Sequence, residues 1–277
     1  MSGSRIKTLV IAALALVNVL FLAVIIIDTA ADARSERQAI ENVCSVLNSG
    51  GIIVYPDDVR ANNSLRAMRT ARGNEAEITI ARAILGQTDM TVQGVIHSYE
   101  NTENGIAEFY SGGDFEMKVN AGAITAPRGA MWTVKRLLRS MKLETSELVL
   151  SGNPGAESVT AVSSYRGASV FNCAIEFIFN GSSLETVRGR YITGVEPIEG
   201  GAAISHAGTA LLGFLAAVKN EDREDVVCTR ILSATAGYKH QVVGSFGEGV
   251  IVPVWLLRTD MGSYIIDDAT GEILPVA

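Results

Sequence analysis

The longest apolar run of the chain lies near its N-terminus. The twenty residues from Thr8 to Ile27 carry no charge, and only Thr8 and Asn18 among them are polar. At about 1.5 Å per residue, a helix of this length spans about 30 Å, which is the thickness of the hydrocarbon core of a bilayer. The pattern therefore predicts a transmembrane helix at residues 8–27, preceded by a cytoplasmic tail at residues 1–7.

A cleaved signal peptide is the alternative interpretation of this run, because Arg5 and Lys7 precede it and Ala31-Asp32-Ala33 resembles a cleavage site. The apolar part of a signal peptide normally has about 7–15 residues, so the greater length favours an uncleaved anchor. Cations stand before the span, whereas Asp28 and Asp32 follow it. This asymmetry predicts a single-pass protein of the cell membrane with a cytoplasmic N-terminus and an extracytoplasmic body.

The remainder of the chain has the shorter periodicities of a water-soluble body. Apolar residues recur at helical spacing between positions 33 and 48, which predicts a juxtamembrane helix within residues 28–50. Near the C-terminus, residues 230–240, 250–258 and 263–267 read as strands, and the last two flank a turn. Helices and antiparallel strands together predict an α+β body.

Two stretches that lie about seventy residues apart share the pattern of a β-hairpin followed by an amphipathic helix. The first turns at Gly112-Gly113-Asp114 and leads to a helix after Pro127, and the second turns at Asn180-Gly181-Ser182 and leads to a helix near residues 205–219. Duplication and ordinary α+β composition explain this pattern equally well. We expect two similar units of antiparallel sheet plus helix, at residues 51–150 and 151–277, with Ser151 at the boundary or in a long turn.

Composition restricts the class of partner. The chain has 23 basic and 30 acidic residues, and its formal net charge is −7. Because Arg5 and Lys7 precede the span, the body beyond it carries −9. Binding to nucleic acid requires neutralisation of phosphates by a basic surface, so the overall charge argues against a nucleic-acid partner.

The chain lacks the common signatures of catalysis. His97, His206 and His240 stand alone, without HExxH or ligand spacing, and are interpreted as structural residues. Neither GxSxG nor a Walker motif occurs. The acid pairs Asp57-Asp58 and Asp267-Asp268 could in principle serve a glycoside hydrolase, but both lie in turns, where Asp hydrogen-bonds to the backbone. We therefore predict no enzymatic activity, no catalytic or metal-ligating residue and no cofactor.

Cysteine usage leaves the redox state open. Cys173 and Cys228 could pair outside the cytoplasm, although an odd total of three and the apolar neighbours of each favour free, buried thiols. A nucleophilic cysteine with a histidine partner has no local signature here.

Both ends of the chain resemble a known family. Lys7-Thr8 and the segment Leu16-Val17-Asn18-Val19-Leu20-Phe21-Leu22-Ala23 resemble the start of YycI-type regulatory proteins of Gram-positive bacteria. The closing Pro253-Val254-Trp255-Leu256-Leu257 and Tyr264-Ile-Ile-Asp-Asp-Ala-Thr-Gly-Glu-Ile resemble the ending shared by YycI, YycH and PepSY-type domains. Gly237-Tyr238 and residues 209–218 also fit, so the resemblance extends loosely over most of the chain.

The resemblance implies a membrane-anchored accessory protein of a two-component system. Such proteins modulate the sensor histidine kinase YycG (WalK), which controls cell-wall metabolism, and they associate with the kinase and a YycH-like sister protein through their transmembrane helices and extracytoplasmic domains. The resemblance places the helix–helix interaction at Asn18, Phe21, Leu22 and Ala23. It assigns no catalysis to Trp255 or Tyr264, which are expected in the core and in a hairpin. The alternative function is that of an anchored PepSY-like inhibitor of a cell-wall protease or peptidase.

Overall fold

A computed structural model describes residues 34–220, 226–243, 248–267 and 270–276. The predicted cytoplasmic tail and transmembrane helix lie outside these residues. Within the described part of the chain, no helix has both the length and the apolar character needed to cross a membrane.

Four α-helices and fifteen strands make up the described residues. The helices are α1 at residues 34–49, α2 at Asn74–Leu85, α3 at Ala130–Met141 and α4 at Ala207–Val218, and a 3-10 turn occupies Pro56–Asp58. The strands are β1 Val59–Arg60, β2 Met68–Thr70, β3 Asp89–Gln93, β4 Ile96–Asn101, β5 Gly105–Phe109, β6 Asp114–Val119, β7 Thr145–Asn153, β8 Ala156–Tyr165, β9 Ala168–Asn180, β10 Ser183–Arg190, β11 Glu196–Pro197, β12 Ile231–Val242, β13 Gly249–Thr259, β14 Ser263–Asp267 and β15 Ile273–Val276.

The middle of the chain forms one antiparallel sheet covered by two helices. Its strands follow the order β3-β4-β5-β6-β10-β9-β8-β7. Helices α2 and α3 bury Ile84 and Leu137 against this sheet, where they meet Phe109 and Phe177. We call residues 74–190 the inserted unit and this cluster the inserted core.

The two ends of the chain build a second core together. Strands β12 and β13 form a long antiparallel pair, which β2 and β14 extend along the free edge of β13. Helices α1 and α4 contribute Leu47 and Phe214 to a core that also contains Trp255. We call residues 34–70 and 196–276 the terminal unit and this cluster the terminal core.

Strand β9 belongs to both cores. Val170, near its start, lies in the terminal core and is paired in register with Tyr238 of the parallel strand β12. Further along, Ile175 and Phe177 lie in the inserted core, and the strand pairs with β8 and β10. Because one continuous strand carries both sets of side chains, the two units share a single hydrogen-bonded sheet.

The α+β class is confirmed, and so are the local predictions of helix α1 and of strands β12, β13 and β14. The expected division at residues 150/151 differs from the observed distribution of the two cores. Both predicted hairpin-plus-helix patterns occur, yet their hairpins lie in one sheet. Strand β6 of the first hairpin pairs with β10 of the second, and the paired residues run from Lys118 opposite Thr186 to Asp114 opposite Arg190. Ser151 lies within β7, and Pro154-Gly155 forms a tight turn to β8. Hydrophobic patterns predict which segments form strands, but not which strands pair with each other.

Gly189 provides a test of the close contact between β9 and β10. Its φ is +149°, and a Cβ there would lie 2.1 Å from the carbonyl oxygen of Ala174. We expect Gly189→Ala to lower the free energy of unfolding by about 2–4 kcal/mol, because backbone must move. Gly213→Ala, in the exposed part of α4 with nothing within 4 Å, should instead raise it by about 0.5–1 kcal/mol. Urea unfolding followed by circular dichroism measures both values, and equal effects would contradict the proposed contact.

Candidate functional site

The two units meet where the chain crosses between them, at residues 71–73 and 191–195. The first crossing leads into α2, which begins at Asn74 after Gly73 and has no side-chain cap. Glu77 lies in the first turn of this helix, where a carboxylate interacts favourably with the helix dipole. The sequence thus directs an acidic side chain towards the point where the two units join.

Glu77 is fully buried and has partners on both carboxylate oxygens. Its Oε1 accepts a hydrogen bond from Arg72 Nε, and its Oε2 lies 2.6 Å from His97 Nδ1. The hydroxyl of Tyr99 also donates to Oε2 at 3.1 Å. A buried carboxylate is costly unless it is paired and hydrogen-bonded, and this arrangement satisfies that condition.

Arg72 connects the same carboxylate to the neighbouring backbone. Its Nη1 donates to the carbonyl oxygen of Val95 at 2.7 Å, and its Nη2 donates to that of Phe109 at 3.1 Å. One guanidinium therefore holds α2, the turn between β3 and β4, and the end of β5. Its planar set of donors suits such simultaneous contacts.

The second crossing enters the same cluster through Tyr191. The Tyr191 ring lies edge-on to Phe109 and Phe115, with centroids 5.9 and 5.7 Å away. Burial is the main cause that raises the pKa of the Tyr99 and Tyr191 hydroxyls well above their ordinary range, and the charge of Glu77 adds to it. Both phenols therefore remain protonated donors at neutral pH. Together, Arg72, Glu77, His97, Tyr99 and Tyr191 form what we call the junction cluster.

His240 of β12 lies beside the junction cluster in a small cavity. Its Nε2 is 3.1 Å from the hydroxyl of Thr70, whereas its buried Nδ1 has no hydrogen-bond partner among the described residues. The cavity, also lined by Arg72, Gly113 and Tyr191, measures about 10 Å³, which is room for a single water molecule. Burial lowers the pKa of His240, so its imidazole is neutral at physiological pH.

An ion pair braces the sheet near this cavity. Arg190 donates to both carboxylate oxygens of Asp114, at 2.9 and 2.7 Å, across the β6–β10 pair. The hydrogen bond to Asp114 raises the pKa of Arg190. A bidentate pair of this kind fixes the relative orientation of two strands as well as neutralising their charges.

The predicted interaction residues Asn18, Phe21, Leu22 and Ala23 lie outside the described residues. The structure separates the two acid pairs. Asp57 lies in the 3-10 turn, with Arg37 at 3.7 Å, and Asp267 accepts a hydrogen bond from Gln241, while Asp268 lies outside the described residues. Asp57 thus lies beside α1, and Asp267 is hydrogen-bonded to β12.

The three histidines have different neighbours in the fold. His97 belongs to the junction cluster, His206 precedes the first residue of α4, and His240 lines the small cavity. Among the described residues, no three His, Cys, Asp or Glu side chains approach closely enough to hold a metal ion.

All three cysteines are free and buried. Burial raises the pKa of the Cys173 thiol to about 12 and that of Cys228 to about 11, and it also raises the pKa of Cys44. Thiols of this kind are poor nucleophiles at neutral pH, because the thiolate is the reactive form.

Trp255 and Tyr264 occupy the places expected for them. Trp255 is fully buried, and its indole N–H donates to the carbonyl oxygen of Ser205 at 3.3 Å. Tyr264 lies in β14 of the β13–β14 hairpin, and its hydroxyl donates to the carbonyl oxygen of Val227 at 3.1 Å. The prediction that they are core and hairpin residues is confirmed.

The residues of the junction cluster share no pattern in the sequence. Arg72 and Glu77 are five residues apart, but His97, Tyr99 and Tyr191 come from distant strands and loops, so no local motif unites them. The available signal was the acidic first turn of α2, in which Glu77 precedes the apolar positions Ile80, Ala81 and Ile84 at helical spacing. As an assembly of satisfied groups, the cluster is suited to fixing the two connecting segments on the inserted unit.

Comparisons with known proteins add no functional information. No family model matches the chain, and no curated protein matches it. A search of solved structures found an uncharacterized protein from Eubacterium rectale with a TM-score of 0.46 and 9% sequence identity, over 79% of this chain and 89% of that chain. At that similarity the match carries no argument about fold or function.

Removing the charge of Glu77 tests the junction cluster. Glu77→Gln would leave the buried guanidinium of Arg72 without its counter-ion, and we expect the free energy of unfolding to fall by about 3–5 kcal/mol. Arg188→Gln is the matched control, since it breaks the pair with Glu176 in which the Arg188 side chain is 58% exposed. That loss should stay below about 1 kcal/mol. Chemical denaturation distinguishes the two, and a Glu77→Gln protein as stable as the control would refute this role.

The burial of the Cys173 thiol predicts that the folded protein loses stability at alkaline pH. The pKa of Cys173 is about 12 in the folded protein, whereas an unfolded thiol has a pKa of about 8.5. The stabilisation is complete below the unfolded value and is lost as pH rises towards 12, because the unfolded chain releases its proton first. Urea unfolding under reducing conditions should show a shallower decline for Cys173→Ala than for the wild type above pH 9, and parallel behaviour at pH 6–8. If the free energy of unfolding fell equally with pH in the two proteins, Cys173 would make no contribution to the loss of stability in alkali.

Proposed function

We propose that this protein is a single-pass, membrane-anchored regulatory accessory protein that modulates a sensor histidine kinase controlling cell-wall metabolism. In this proposal residues 8–27 cross the cell membrane, the N-terminus is cytoplasmic and the α+β body is extracytoplasmic. The partners are the kinase and a YycH-like sister protein, which contact both the membrane helix and the body. The protein acts through binding, without an enzymatic activity of its own.

The observation that carries the proposal is the position of α1. The described part of this helix, residues 34–49, buries Ile40, Cys44 and Leu47 in the terminal core. Only residues 28–33 separate it from the predicted span, a stretch that reaches about 20 Å at most when fully extended. A displacement of the span would therefore act on the folded body through a short connection.

The contacts of α1 extend this coupling further into the body. The end of α1 approaches α4, since a Cβ at Gly50 would lie 3.0 Å from Leu215. The terminal unit is in turn joined to the inserted unit by β9, which pairs with β12 of the former and β8 of the latter. A partner that binds either unit would therefore bias the same rigid assembly as one that binds the membrane helix.

Replacing the span tests this function. Exchanging residues 8–27 for an unrelated transmembrane sequence should abolish modulation of kinase autophosphorylation in reconstituted membranes, because the proposed helix contacts are lost. Asn18→Leu should weaken photo-crosslinking between the membrane helix and the kinase, since its amide would supply an interhelical hydrogen bond. Val17→Leu is the matched control, and it should behave as wild type.

A flexible insertion separates anchoring from coupling. Twelve Gly/Ser residues placed between Asp32 and Ala33 leave the span and body unchanged but make their connection long and compliant. We expect reduced modulation of the kinase with normal membrane localisation. Full activity of both the exchanged-span and inserted chains would contradict the proposal and favour the anchored PepSY-like protease inhibitor, which requires only the body.

A further inference from the structure

The chain between Met117 and Leu143 has a charge opposite to that of the whole protein. It contains six of the 23 basic residues and none of the 30 acidic ones. Four of these cations, Arg128, Lys135, Arg136 and Arg139, lie exposed along or just before α3. Among the described residues none of the four takes part in an ion pair.

An exposed tryptophan lies in the middle of these cations. Trp132 is 42% exposed, and the guanidinium carbons of Arg128 and Arg136 are 5.0 and 5.5 Å from the ring centroid. The opposite face of α3 is apolar and buries Val134, Leu137 and Leu138 in the inserted core. We call Arg128, Trp132, Lys135, Arg136 and Arg139 the α3 patch.

The spacing makes the α3 patch one continuous stripe. Each member lies three or four residues from another member, with Lys135 and Arg136 side by side, and the helical part from Trp132 to Arg139 spans about 10 Å along the axis. An indole flanked by guanidinium groups is suited to the boundary between lipid headgroups and acyl chains, where Trp is enriched. Guanidinium groups bind phosphate oxygens with paired hydrogen bonds.

We propose that the α3 patch is a docking surface for anionic phospholipid, on which the inserted unit rests at the membrane. The proposal depends on the proposed function only for the nearness of a bilayer. Each cation near such a surface contributes about 1 kcal/mol of attraction, equivalent to roughly a fivefold change in binding. The remainder of the chain holds 17 basic and 30 acidic residues, so most other faces are repelled by the same surface.

Charge distribution favours lipid over an acidic protein as the occupant. An acidic protein would need carboxylates matching a stripe of four cations around a protruding indole. A bilayer containing anionic lipid presents phosphate along the whole stripe together with an apolar layer for the ring. The anchor would keep that surface within reach and so raise its effective concentration.

Fluorescence of Trp132 provides a direct test. The full chain is placed in nanodiscs of phosphatidylcholine alone or with about one third phosphatidylglycerol, a content chosen to give a negative surface. Both lipid mixtures contain acyl chains brominated near the headgroup. Trp132 should be quenched in the anionic discs but not in the neutral ones, and high salt should abolish the quenching because it screens charge. The Trp132→Phe chain gives the background of Trp255, which is fully buried.

Matched substitutions assign the quenching to the patch. Arg128→Gln/Arg136→Gln/Arg139→Gln should lose most of it, whereas Arg60→Gln/Arg69→Gln/Arg82→Gln, which neutralises three exposed cations elsewhere, should keep it. Absence of quenching in anionic discs, or equal quenching in the neutral ones, would overturn the proposal. The proposal would also be overturned if soluble polyglutamate protected Trp132 while lipid had no effect on its fluorescence. That result would indicate an acidic protein partner.

The same readout separates this proposal from the proposed function. If the chain does not enter nanodiscs, the anchor fails, and the α3 patch is then tested with preformed anionic vesicles added to the full chain. Neutralising the three arginines should weaken that binding by about a hundredfold. If the chain enters nanodiscs but Trp132 is not quenched, the predicted membrane anchor is supported and the α3 patch as a lipid surface is refuted.

Discussion

Strand β9 is the constraint on which both units depend. Its first residues place Val170 in the terminal core, and its later residues place Ile175 and Phe177 in the inserted core. Fifteen strands consequently form a single connected sheet, although the hydrophobic side chains under it divide into two main clusters. A strand that is hydrogen-bonded on both sides cannot shift its register without moving its side chains out of both cores. The relative position of the units is therefore determined by backbone pairing before any side-chain contact is considered.

The junction cluster adds specificity to that pairing. Apolar residues in place of both Glu77 and Arg72 would fill the space at a lower cost of desolvation, since buried ion pairs are often no more stabilising than apolar packing. The polar network instead requires Arg72, His97 and Tyr99 to arrive together from a connection and a β-strand. A different placement of the first connecting segment would move Arg72 away and leave a buried charge without its partner. We infer that the cluster contributes orientation more than it contributes net stability.

Sequence reasoning succeeded where a local pattern determines the structure. Helix α1 and strands β12 to β14 followed from the spacing of apolar residues, and Trp255 and Tyr264 lie in the core and hairpin as expected. It failed where distant segments choose partners. The two hairpins join through β6 and β10, and the N-terminal helix packs with the C-terminal strands around the inserted unit. Glu77 was missed for the same reason, because its partners become neighbours only after the sheet has formed.

The separation of apolar and charged residues along this chain restricts the orientation of the body at a membrane. The predicted span leads into α1 and the terminal core, whereas the α3 patch lies on the inserted unit. Two attachments on different units would restrict the tilt of the body more than a single attachment does. That tilt would persist only while β9 holds the units together. On this argument the shared strand β9 and the exposed Trp132 serve one purpose, since a surface contact can orient the anchor only through a rigid body.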